Sequence, residues 1–476
     1  MNFSLPKIIQ GGMGAGVSNW RLAKAVSKLG QLGVVAGTAL DSILSRRLQD
    51  GDPDGHARRA LEHFPFPAIA RRILDAHFIP GGRDPQSPYR LARMHSAEPN
   101  LPAQELCVAA NFVEVFLARE GHSNPVGINF LEKIQIPHLP SLYGAMLAGV
   151  AVVVVGAGIP MEFPEAISAL SEHRPASYSI YAAGPKDAEP VRVSLDPSLF
   201  LEPGQTLPPL PKPAFLPIVS SATLATMLLR RIREGLAGFV VESSVAGGHN
   251  APPRGQMRLD VAGQPVYGPR DAIDPAAFRE LGVPFWLAGG RGSREQFSEA
   301  IAQGASGVQV GTPFALCRES GLVPSLRRTL VAKAISGHAK VFTDPAASPT
   351  GFPFKVAELE GTLSDPSVYA ARRRICDLGF LREAFRRPDG SIGYRCPAEP
   401  EKAYLAKGGK PEDLVGRKCL CNALVANVGM PQRLPDGSCE LPLVTLGDDF
   451  ANVGRYCPDP SNPDYSAADV VREILG

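Results

Sequence analysis

The chain has 476 residues, 44% of them hydrophobic, with 49 Lys+Arg against 47 Asp+Glu and a formal net charge of +2. Such a length predicts two or three domains, or one barrel of roughly 250 residues with additions, and the balanced charge lacks the concentrated basic surplus of a nucleic-acid binder. No run of about 18 apolar residues occurs, and Met1–Lys7 has neither a charged leader nor an apolar core segment, so no membrane partner and a cytoplasmic location are expected.

Along the chain, Ile8-Ile9 reads as a strand, and Gly11 to Gly16 as a glycine cluster. Residues 20–29 form a helix with Leu22, Ala25, Val26 and Leu29 on one face, stopped at Gly30. Gly33–Ala36 is the next strand. The rhythm returns with strands at 126–130, 151–155, 215–219, 238–241, 284–288 and 307–310, and helices at 141–148 and 293–303. The unbroken apolar run Ala151–Val155 suits a strand buried on both faces. Strands alternating with helices over about 300 residues predict a parallel sheet. Met13, Thr38, Asn129, Gly156, Ser220, Glu242, Gly289 and Gly311 stand just past a strand. A ring of such exits fits a (β/α)8 TIM barrel, whose chemistry sits at the strand C-termini.

Two stretches break the rhythm. Residues 41–100, rich in Arg, His, Asp and Pro, are too long for an ordinary connection and read as a helical insertion over the barrel mouth. After about Ser320 the strands are expected to stop. The domain reading is therefore a barrel over 1–340 and a smaller Cys-containing extension over 341–476.

Three motifs carry chemistry. Gly11-Gly12-Met13-Gly14-Ala15-Gly16 follows a strand, but its glycines are two apart and no acidic residue ends the next strand, unlike a dinucleotide fingerprint. They let backbone lie against a flat ring, or simply make a tight turn. Ala288-Gly289-Gly290-Arg291 and Val310-Gly311-Thr312 leave adjacent late strands, the arrangement of a barrel phosphate site. Val241-Glu242, followed by Ala246-Gly247-Gly248-His249-Asn250, ends a strand on a carboxylate and places a histidine after two glycines. Histidine titrates near neutrality and can exchange a proton with carbon, which makes His249 the catalytic candidate; the alternative is a structural histidine.

The ordered set Ile9-Gln10-Gly11-Gly12-Met13, Gly127-Ile128-Asn129, Gly156-Ala157-Gly158, Ala246–His249, Ala288–Gly290 and Gln309–Thr312 resembles the nitronate monooxygenase (2-nitropropane dioxygenase) family over roughly Pro6 to Ser320. The resemblance implies an FMN-binding barrel, with Gly12 and Met13 beside the flavin ring and Asn129 near its polar edge. Gly156, Glu242, Gly247 and Gly248 would complete the pocket, while Gly289, Gly290, Gly311 and Thr312 hold the phosphate and His249 acts over the ring. The reaction implied is oxidation of alkyl nitronates by O2 to a carbonyl compound and nitrite. In the extension, Thr350–Pro353, Leu420–Leu424 and Val444–Asp449 resemble the flavin enoyl reductases of polyunsaturated fatty acid and polyketide synthases. That implies the alternative of NAD(P)H-dependent reduction of enoyl thioesters, with an acyl carrier protein as partner. A third reading is a non-catalytic barrel whose Cys module docks a partner or senses redox state.

Six of the eight cysteines fall in the last quarter of the chain. Cys376, Cys396, Cys419 and Cys421 could supply four thiolates to zinc or an iron–sulfur cluster, although no Cys-x-x-Cys is present; free thiols or a redox pair are the alternatives. His56, His63, His77 and His95 show no metal spacing, and Arg46-Arg47, Arg71-Arg72 and Arg372–Arg374 read as solvated faces or phosphate contacts.

Overall fold

The computed structural model describes residues 6–185, 189–232, 234–434, 436–459 and 461–476. Met1–Leu5, on which most of the N-terminal reading rests, lie outside them. Eight strands, β1 (Ile8–Gln10), β2 (Gly33–Ala36), β3 (Val126–Leu131), β4 (Val152–Gly156), β5 (Ala214–Val219), β6 (Phe239–Glu242), β7 (Phe285–Ala288) and β8 (Gly307–Val310), make one parallel sheet. Its order is β1-β8-β7-β6-β5-β4-β3-β2. The two ends meet. Gln10 N–H donates to Leu32 O at 2.9 Å, Leu32 N–H donates to Ile8 O at 3.0 Å, and Gln10 Oε1 accepts from Val34 N–H at 2.9 Å. The sheet is a closed (β/α)8 barrel.

Period-two alternation fills it. Val34, Val152 and Val154 join Ile9, Leu216, Val240 and Trp286 in an inner cluster, while Val35, Val153 and Val155 face the surrounding helices. Trp286, 1% exposed, donates its indole N–H to Pro6 O at 2.8 Å. A packed interior leaves ligands only the mouth at the strand C-termini.

α1 (Trp20–Lys28) starts where Asn19 Oδ1 accepts from Leu22 N–H and ends before Gly30, which has φ +76°. The excursion between β2 and β3 carries α2 (Leu40–Gln49), α3 (His56–Glu62) and α4 (Pro67–His77). Residues 78–100 then run without a helix to α5 (Leu101–Arg119), capped by Asn100. α5 is long and apolar enough to cross a bilayer, with a mean hydropathy of 1.3, yet 78% of that span is buried. It packs on α1, α2 and α6 (His138–Leu147), the role of a core helix.

The expectation that strands stop after Ser320 is corrected. β9 (Val341–Asp344) pairs antiparallel with β10 (Phe354–Ala357), and β11 (Glu383–Arg386) with β12 (Ile392–Arg395). These strands, VFTD, FKVA, EAFR and IGYR, are interrupted or ended by charged residues and carry no unbroken apolar run of the kind that marks the barrel strands. Residues 341–476 pack directly on the barrel. Tyr465 is fully buried and donates its hydroxyl to Pro313 O at 2.8 Å, and Ala357 N–H donates to Val444 O at 2.9 Å. The terminal helix Ala467–Leu475 lies against α1 and the helix Arg294–Ala302.

The arginine runs are not solvated faces throughout. Arg46 is 2% exposed, lies over the Tyr89 ring and donates to Met430 O at 2.6 Å. Arg372 makes a two-point pair with Glu440 at 2.6 and 2.9 Å, both side chains buried.

Candidate active site

The strand exits surround one cavity at the barrel mouth. Gly12, Met13, Asn129, Gly156, Glu242, Gly247, Gly248, His249, Gly289, Gly290, Gly311 and Thr312 all line it. The parallel barrel explains the convergence: strands far apart in sequence end on one rim.

The loop after β1 is set by two buried polar residues that sequence patterns passed over. Ser18 Oγ accepts from Met13 N–H (2.9 Å) and from Gln10 Nε2 (2.8 Å) and donates to Gly11 O (2.9 Å). A Cβ on Gly12 would overlap the Asn129 side chain, so backbone from β1 and the amide from β3 share one floor. Ala39 and Ala157, with φ of +60° and +59°, also line the cavity. Left-handed alanine costs about 1–2 kcal/mol, a strain concentrated at this rim.

On the opposite side, Gly289 and Gly290 have φ of +93° and +63° before Ser293 caps the next helix. A Cβ on Gly289 would overlap Ser243 Oγ. The neighbouring Thr312 hydroxyl accepts from Gly447 N–H at 2.8 Å. Burial pushes the Asp449 carboxyl up to about 6.

The loop from Ser243 to Asn250 is pinned by the C-terminal part of the chain. Gly248 N–H donates to Thr445 Oγ1 (2.8 Å), Lys355 N–H to Gly248 O (3.0 Å) and Asp448 N–H to Val245 O (3.0 Å). His249 Nε2 is 2.7 Å from Ser348 Oγ, which is 2.8 Å from Thr350 Oγ1, and the imidazole meets the Phe354 ring edge-on at 4.9 Å. Burial, helped by the nearby Lys133 charge, lowers the His249 imidazole to about 4. The expectation of a histidine titrating near neutrality is thereby corrected; desolvation keeps the ring neutral at pH 7. Glu242 goes the other way, pushed up to about 8 by burial at the end of β6, so its carboxyl holds its proton at neutral pH.

Sequence reasoning missed the apolar wall. Phe354, Phe380, Leu381, Leu420, Leu424 and Leu446 all come from beyond residue 350. A second cavity shares Phe380 and Leu381 with the first and is lined by Lys133, Arg382, Arg395 and Arg417.

The four cysteines singled out for metal binding gather behind this wall: Cys376, Cys396, Cys419 and Cys421 border one small cavity, and Cys421 also faces the main one. Of the insertion's histidines, His56 and His63 make local bonds, such as His63 Nδ1 to Arg59 O at 2.9 Å, and His77 Nδ1 lies 3.0 Å from Ser45 Oγ. His95 instead lies 2.7 Å from Asp41 and, with Cys107, offers three ligand atoms within 4.8 Å of one another.

Residues 212–343 match the nitronate monooxygenase family model. A probable nitronate monooxygenase of Bacillus subtilis (strain 168) is 32% identical over 110 residues, which is 22% of this chain and 29% of that relative. Among solved structures, FabK from Thermotoga maritima aligns over 99% of this chain and 91% of its own at 16% identity and a TM-score of 0.48. Nitroalkane oxidase from Streptomyces ansochromogenes aligns over 99% and 95% at 15% identity, also with a TM-score of 0.48. The segment 212–343, which contributes β5–β8, His249 and the two glycine loops to the cavity, is thus the part of the chain that is similar to the nitronate monooxygenase family.

Proposed function

We propose that this chain is an FMN-dependent oxidoreductase whose reaction takes place over His249. The single observation that carries the reading is the convergence of the Gly12–Met13 floor, the two glycine loops and His249 on one cavity. The residues fit the group. Backbone without side chains lines the floor where a flat ring would lie, and a Cβ on Gly12 or Gly289 would fill that space or displace its neighbours. Gly289, Gly290 and Gly311 would hold the phosphate through backbone N–H groups, and the Thr312 hydroxyl, which accepts from Gly447 N–H, keeps its own proton to donate. When bound, FMN supplies two-electron transfer to or from a substrate lying over its ring.

The chain's own contributions follow from the site. Neutral His249, fixed through Nε2 by Ser348, presents its other ring nitrogen as the group that orients a substrate carbonyl or nitro oxygen. Protonated Glu242 donates rather than repels at the end of β6. Thr445 and Asp448 tie the 245–249 loop to the C-terminal part of the chain.

For the substrate, we favour an extended, apolar enoyl thioester reduced at the expense of NAD(P)H, giving the saturated thioester and NAD(P)+ with uptake of one proton. The apolar wall from beyond residue 350 suits an acyl chain, and the adjoining cavity, where Lys133, Arg382 and Arg417 stand beside the Arg395–Glu383 pair and Asp413, offers cations to the phosphate of a carrier arm or of a nicotinamide cofactor. A second reading, oxidation of a nitronate by O2 to a carbonyl compound and nitrite, is favoured by the family match over 212–343. Anaerobic mixing separates them. NAD(P)H that bleaches the flavin bands, followed by recovery with a crotonyl thioester, supports reduction; bleaching by a nitronate alone supports oxidation. No flavin after reconstitution with FMN overturns both.

A further inference from the structure

We propose that Cys376, Cys396, Cys419 and Cys421 form an iron–sulfur site built into the wall of the active-site cavity. The four thiols come from three separate segments yet border one small, largely buried cavity, together with Gly379 and Arg382. None is in a disulfide. Cys396 and Cys419 are buried and Cys376 and Cys421 half-buried, and such thiols gain little from packing alone, since an apolar side chain of similar size fills the space without a reactive sulfur.

The surroundings are those of ligating thiolates. Asn422 Nδ2 lies 3.6 Å from Cys419 Sγ. Arg382 borders the same small cavity, and Arg372, paired with Glu440, lies near Cys419, while the carboxylates of Glu399 and Asp377 lie near Cys376. N–H donors and nearby cations stabilise thiolate-bound clusters and set their potentials.

Spacing favours a cluster over a single ion. Zinc with Zn–S bonds of about 2.3 Å draws four sulfurs to roughly 3.8 Å of one another. Among the described residues, no three of these sulfurs lie within 4.8 Å of one another. A cluster spreads its ligands over several irons and so takes a wider set. Its position also gives it a mechanical role. It would tie the turn after Cys376, which supplies Phe380 and Leu381, to the segment Cys419–Leu424, which supplies Leu420 and Leu424.

The inference stands independently of the flavin reading, and its test reads metal rather than turnover. The full-length protein, produced with added iron and purified without oxygen, is assayed for iron, acid-labile sulfide and zinc, and by electron paramagnetic resonance after dithionite reduction. A four-iron cluster predicts about four irons and four sulfides per chain. Cys396→Ser and Cys419→Ser should lower both at least tenfold, while Cys439→Ser, at an exposed thiol outside the cluster, leaves them unchanged. The wild-type metal content decides the matter even where a variant fails to fold. One zinc per chain, a Cys376–Cys396 disulfide, or iron below about a tenth per chain would overturn the proposal.

Discussion

Gly289→Ala is the substitution whose cost the structure fixes most directly. Gly289 has φ +93°, where an L-residue costs about 1–2 kcal/mol. A Cβ would also overlap Ser243 Oγ and stand 3.1 Å from Val245 Cγ2 and 3.2 Å from Ala246 N. The 243–246 segment, which leads to His249, must therefore move, and overpacking of this kind costs about 1–3 kcal/mol. The total, about 2–5 kcal/mol, divides between lost stability and lost FMN binding according to how far the empty loop relaxes. A 2 kcal/mol share in binding raises Kd about 30-fold. Two comparisons isolate the terms. Gly290→Ala, at φ +63° with its nearest contact at 3.5 Å, should pay only the backbone cost. Gly30→Ala, at φ +76° in open space after α1, should lose similar stability while binding FMN normally. The assay is fluorescence titration of apoprotein with FMN, paired with urea unfolding of the same samples. A Gly289→Ala protein that matches wild type within twofold in Kd and in stability would refute the reasoning, as would equal loss of FMN in Gly30→Ala.

Other outcomes follow from the same geometry. Ser348→Ala removes the partner of His249 Nε2 and should cost about 1–3 kcal/mol of stability; steady-state assay should find kcat reduced with FMN content unchanged, and an unaltered kcat would contradict the positioning role. His249, lowered to about 4 against an ordinary value near 6.5, binds fewer protons folded than unfolded, so its contribution makes stability rise with pH between about 4 and 6.5; in His249→Asn that part of the pH–stability slope should vanish. Glu242, raised to about 8, binds more protons folded than unfolded, so its contribution makes stability fall as pH climbs from about 4.5 to 8. Glu242→Gln should flatten that limb in urea titrations, and an unchanged slope would count against a protonated carboxyl. Glu440→Gln leaves Arg372 buried without its two-point partner and should cost about 3–5 kcal/mol in chemical unfolding.

The barrel was legible because each strand is a short apolar run ending in a glycine or polar residue, and the exits of a parallel barrel must meet. Gly12, Asn129, Glu242, His249 and Gly289 could therefore be placed on one rim before any contact was known. The far wall was not legible. Gly248 meets Thr445 across 197 residues, and neither residue carries a local pattern that points to the other. Ser348 sits in a Pro-rich stretch that reads as a loop, which is what it is, yet it is the residue that holds His249. Asp41, His95 and Cys107 likewise come together only through the packing of the insertion. Protonation states were beyond reach for the same reason: Glu242 and His249 are shifted by burial, which depends on distant segments covering the mouth.

The central claim, a flavin site that passes electrons to an apolar substrate over His249, is tested most directly by anaerobic absorbance of the reconstituted protein. The account predicts flavin bands that NAD(P)H bleaches and that an enoyl thioester restores, with restoration much slower in His249→Asn. Protein that stays colourless after incubation with FMN, or flavin that NAD(P)H leaves untouched while a nitronate bleaches it, would contradict it.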